Sequence, residues 1–124
     1  MFRDPIDLNY PMFGKVEKMD CSRESAYIRW APGNGYAYIM MLSRCSEESG
    51  ADVLVSIKDP FSEVFVSYPM SFFGFYGFSY VEEKFGYLIK DEKTLKYFVA
   101  LMNWCLPGVT EDSKKYAQEI FESI

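Results

Sequence analysis

A chain of 124 residues, 49% hydrophobic and 19% aromatic, has the material for one self-sufficient core, so a single domain over residues 1–124 is expected without metal or disulfide support. Its 13 basic and 18 acidic residues leave a net charge of −5, which argues against direct nucleic-acid binding and against a peripheral hold on an anionic membrane, and suits a protein partner with a basic surface. There is no histidine, which removes Ser-His-Asp and Cys-His catalysis, the usual zinc and iron sites, and the commonest general base near neutral pH.

Residues 1 to 11 carry Pro5 and Pro11 and read as an irregular arm without the basic start and apolar run of a signal peptide. Met12 to Val16 reads as a short strand, and the polar run from Glu17 to Ser25, Cys21 included, as a loop. Ala26 to Trp30 alternates apolar and polar, while Tyr36 to Leu42 is apolar on both faces, the mark of a central strand. Ala31-Pro32-Gly33-Asn34-Gly35 between them is a hairpin turn, because proline presets φ and glycine and asparagine accept positive φ. A half-buried strand follows with Val53, Val55 and Ile57 on one face, then a turn at Asp59-Pro60 and a strand from Glu63 to Tyr68. Pro69 has no N–H to give to a ladder, so an edge or a bend belongs there.

Six of the ten residues from Ser71 to Tyr80 are aromatic. Read as a strand, the segment sets Phe72, Tyr76, Phe78 and Tyr80 on one face and Phe73 and Phe75 on the other. Ser79 and Glu82 have the spacing of a capping box, which predicts one helical turn with Val81 and Phe85 inward, then a short strand up to Ile89. From Asp91 the pattern is helical: Leu95, Phe98, Val99, Met102 and Cys105 share a stripe, and Asp91 is the expected cap. Pro107-Gly108 ends that helix, and Thr110 caps a second whose stripe is Tyr116, Ala117, Ile120, Phe121 and Ile124. The fold expected is α+β: an antiparallel sheet of about five to six strands over residues 12–80, followed by C-terminal helices packed on one face.

The chemistry is sparse. Cys21, Cys45 and Cys105 form no C-x-x-C pair, so a reduced, cytoplasmic setting is expected, with a Cys21–Cys45 bridge left open. No apolar run reaches the ~18 residues of a membrane span. The carboxylate pairs, Glu47-Glu48, Glu82-Glu83, Asp91-Glu92 and Glu111-Asp112, are neighbours in sequence; they diverge on a helix and alternate on a strand, so none is a ready acid–base dyad. No cofactor or metal motif is present, and no enzymatic activity is expected.

The aromatic run is core, a protein-binding surface, or a stacking platform for a planar ligand. Tyrosine suits a surface dry when bound and wet when free. A nucleotide would also need a cation, for which Arg29, Arg44 and Lys84 are the nearest by placement. Trp104 lies off the apolar stripe of its helix and is read as a second interface residue. The expected site is therefore an aromatic–acidic face of Tyr76, Tyr80, Glu82, Glu83 and Trp104. The expected function is that of a small acidic protein-binding module, a stoichiometric inhibitor or immunity-type protein, for example a phage-encoded blocker of a bacterial defence complex. Its alternatives are a nucleotide- or small-molecule-sequestering protein with an aromatic-lined pocket, and a homo-oligomeric assembly protein.

Overall fold

A computed structural model describes residues 2–3, 15–21, 25–31, 38–44, 53–58, 61, 63–71, 75–89, 91–106, 108 and 110–124. Five strands, β1 (Lys15–Cys21), β2 (Ser25–Ala31), β3 (Tyr38–Arg44), β4 (Val53–Lys58) and β5 (Val66–Met70), form one antiparallel sheet in the order β1-β2-β3-β4-β5. Three helices follow, α1 (Phe78–Phe85), α2 (Glu92–Cys105) and α3 (Glu111–Glu122). The expected α+β architecture holds: strands first, helices last.

Alternation decides which way the sheet faces. Ala26 and Ile28 of β2, Tyr38, Met40 and Leu42 of β3, and Val53, Val55 and Ile57 of β4 are all buried. The register sets them in rows, with Ile28 opposite Met40 and Met40 opposite Ile57, and Ala26 opposite Leu42 and Leu42 opposite Val55. These side chains share one buried cluster with the apolar residues of all three helices. Each such aliphatic side chain contributes about 1.5–3 kcal/mol by leaving water.

The expected hairpin is present, with Trp30 paired to Tyr38; its turn residues lie outside the described ones. The strand before it differs from expectation. Glu17 to Cys21 is not a loop but part of β1, paired along β2 with a register shift between Val16 and Lys18. A polar strand is tolerated there because β1 is an edge and hydrogen bonds to a single neighbour. At the opposite edge, β5 runs through Pro69, which sits opposite Leu54. Edge position is the one place where a proline costs the ladder nothing.

The aromatic run is the second correction. Phe75 to Gly77 is not a strand, and residues 78–80 open α1; Phe72, Phe73 and Gly74 lie outside the described residues. The anticipated strand before Ile89 is absent as well, since residues 86–88 are a turn. Gly86 closes α1 by donating to the Glu82 carbonyl at 2.8 Å, so tightly that a Cβ there would lie 2.5 Å from that oxygen.

The two later helices start where their caps predict. Asp91 accepts from the Thr94 backbone N–H at 3.1 Å and from its hydroxyl at 2.5 Å. Thr110 accepts from the Ser113 N–H at 3.2 Å. Helix α2 is more deeply placed than its stripe suggested: every residue from Tyr97 to Leu106 is buried. A helix apolar all round belongs inside.

Candidate functional site

Helix α1 carries the expected acidic pair and the exposed tyrosines beside it. Its inner face is fixed by Val81 and Phe85, both fully buried. Phe85 meets Tyr68 of β5 edge-on at 5.3 Å and Phe98 of α2 edge-on at 5.2 Å. With that face anchored, Tyr80, Glu82 and Glu83 turn outward and are exposed. The expected capping box does not form. Gly77 is the N-cap and lends no side chain; the Phe78 N–H instead donates to the Tyr116 hydroxyl of α3 at 2.9 Å.

Of the five expected site residues, the structure exposes Tyr80, Glu82 and Glu83 on α1 and buries the other two. Tyr76 is only 8% exposed and is a structural clamp. Its backbone N–H donates to Asn103 Oδ1 at 3.1 Å, and its carbonyl accepts from Asn103 Nδ2 at 2.6 Å. Its hydroxyl accepts from the Ser71 N–H at 2.7 Å and donates to the Ser71 carbonyl at 3.0 Å. Trp104 is only 6% exposed, with the Arg3 guanidinium 4.9 Å from its ring centre. The Arg3 N–H also donates to the Cys105 carbonyl at 3.0 Å, so residues 2 and 3 cover the end of α2 that was read as open surface.

Lys84 follows two glutamates, yet its ammonium pairs with neither. It lies 5.1 Å from the Tyr68 ring centre and 5.7 Å from that of Tyr80, and Tyr80 in turn packs at 5.4 Å on Tyr76. Among the described residues the Glu82 and Glu83 carboxylates have no hydrogen-bond or ion-pair partner. Glu111 and Glu92, by contrast, pair within their own helices with Lys114 at 3.0 Å and Lys96 at 3.9 Å.

Three residues of this surface were missed from the sequence. Tyr87 is 61% exposed just past α1, Phe75 is 55% exposed with its ring 4.7 Å from that of Tyr116, and Tyr68 is one of the two rings under Lys84. The spacing of Tyr80, Glu83 and Tyr87, three then four, was the available signal for Tyr87, hidden by reading the segment as strand on both sides of one turn.

Among the described residues no three His, Cys, Asp or Glu side chains gather as a metal site. The Tyr97 hydroxyl is held well above its ordinary value, first by burial and then by the nearby Cys105 thiol, so it stays neutral. Arg29 lies on the sheet face opposite the core, away from the rings of α1. No helix of the described residues is long and apolar enough to cross a membrane. No protein-family model, curated protein or solved structure matches the chain.

Proposed function

We propose that the protein acts by binding another protein that has a basic surface, through the exposed face of α1. The observation that carries this reading is the state of Glu82 and Glu83: two adjacent, exposed carboxylates with no partner among the described residues, while the neighbouring lysine lies over tyrosine rings. Exposed Tyr80, Tyr87 and Phe75 supply apolar area beside them. Rings at the centre with charge around them is the composition of a protein interface, and the net charge of −5 speeds encounter with a cationic partner.

A small domain whose described surface offers exposed rings and carboxylates as contact groups suits a stoichiometric blocker. By analogy of class, an immunity-type or anti-defence protein acting in the cytoplasm fits this profile. Self-association through the same face is disfavoured, because a two-fold pairing would bring the Glu82 and Glu83 carboxylates of two copies together. A monomer is expected by light scattering.

The test is capture from the native host lysate on immobilised wild-type protein and on the Glu82→Lys, Glu83→Lys double variant. Both sites are exposed, so the variant keeps its fold. A basic protein held by the wild type and lost by the variant supports the reading. Equal capture by both removes it.

A further inference from the structure

We infer that the group α1 reads on its partner is an arginine side chain, seated on Glu83 between the rings of Tyr80 and Tyr87; this deepens the protein-binding reading above and rests on it. Tyr80, Glu83 and Tyr87 follow one another at steps of three and four, so they form one stripe on a helical surface. The chain keeps turning past the formal end of α1: Gly86 is in the right-handed helical region, and the Ile89 N–H reaches back to the Phe85 carbonyl at 3.2 Å. The stripe is open, with Tyr80 39% and Tyr87 61% exposed and the Glu83 carboxylate without a partner among the described residues.

The rings of this face already hold one cation: the Lys84 ammonium sits over Tyr68 and Tyr80 at 5.1 and 5.7 Å. Neighbours in sequence diverge on a helix, so Glu83 is turned away from Lys84, and among the described residues its carboxylate has no partner. A carboxylate flanked by two rings matches a guanidinium better than an ammonium. The guanidinium is planar, stacks on aromatic faces, gives up its water more readily and pairs with a carboxylate through two parallel N–H donors. The occupant is thus an arginine-bearing segment of another protein; an oligolysine segment, with its compact and strongly hydrated charges, would use the carboxylate alone.

Two flexible Gly/Ser peptides of equal length, one with three arginines and one with three lysines, test this by titration against the wild-type protein. NMR would follow the Tyr80 and Tyr87 ring resonances. The arginine peptide is expected to bind at least fivefold more tightly and to shift both rings. Glu83→Gln and Tyr87→Ala are each expected to weaken it at least fivefold with an unchanged melting temperature, and Glu119→Gln on α3 to leave it unaltered. Equal affinity for the two peptides, or arginine binding indifferent to Glu83→Gln, overturns the assignment. If that happens while the double lysine variant still loses its captured partner, only the arginine assignment falls. If the double variant keeps its partner, the protein-binding reading falls with it.

Discussion

Asn103 satisfies both backbone groups of Tyr76, as a β-ladder would, with one side-chain amide, and spends its other amide proton on the Val99 carbonyl at 2.9 Å. The amide is 1% exposed, so no water stands ready to replace it. Asn103→Leu removes all three of these bonds from a buried site and is expected to cost at least about 2 kcal/mol. Asn103→Asp keeps the acceptor but loses both donations and belongs in the same range. Urea denaturation with an unchanged m-value reads the loss directly, and a change under about 0.5 kcal/mol in both variants would deny the clamp. Tyr76→Phe loses the two bonds to Ser71 and should cost less, about 1–2 kcal/mol. None of this was legible in the sequence beyond one sign: a lone asparagine inside the apolar run from Phe98 to Cys105. The same residue-scale blindness placed Tyr76 and Trp104 on the surface. What buries them is Ser71, Asn103 and Arg3, all remote from them in pattern if not in sequence.

At the scale of elements, local preference and tertiary contact disagree in one place. The stretch from Ser71 to Tyr80 is rich in aromatics, which favour strands. Yet its last three residues are helical, because a helix from Phe78 buries Val81 and Phe85 together and finds the Tyr116 hydroxyl for its first N–H. Removing the anchor should therefore detach α1 from α2 and β5. Phe85→Ala is expected to cost about 3–5 kcal/mol, the range for deleting a buried aromatic ring. Tyr116→Phe removes only the hydroxyl that caps α1, with an expected cost of about 0.5–2 kcal/mol. If hydrogen exchange at the first amides of α1 does not speed up in Tyr116→Phe, that bond does not hold the helix start. The other elements were legible because local and global signals agreed. Asp91 and Thr110 cap as their chemistry dictates, and Val53, Val55 and Ile57 face inward as alternation requires. Strand β1 was legible only at Lys15 and Val16, and Glu17 to Cys21 was not, since pairing at an edge asks for backbone and tolerates a polar run.

For the molecule as a whole, sequence reading recovered the order of layers and the exposure of three of its five candidate residues, Tyr80, Glu82 and Glu83. It missed how completely α2 is enclosed. That enclosure has a consequence in alkali. The Tyr97 phenol, buried beside Cys105 and edge-on to Phe121 at 5.2 Å, is held well above its ordinary value of 10.0. Below that ordinary value the phenol is protonated in both the folded and the unfolded chain, and it adds no pH dependence. Above it the unfolded chain sheds the proton and the folded protein retains it, so stability falls as pH rises, by about 1.4 kcal/mol per pH unit for this one group. Tyr97→Phe abolishes that contribution. The expected result is a difference in unfolding free energy between wild type and Tyr97→Phe that is flat from about pH 7 to about pH 9 and then moves steadily in favour of the variant. Urea melts across this range measure it. Curves that stay parallel up to about pH 11 would mean that the hydroxyl reaches solvent before the fold opens, and that α2 is not sealed at its centre.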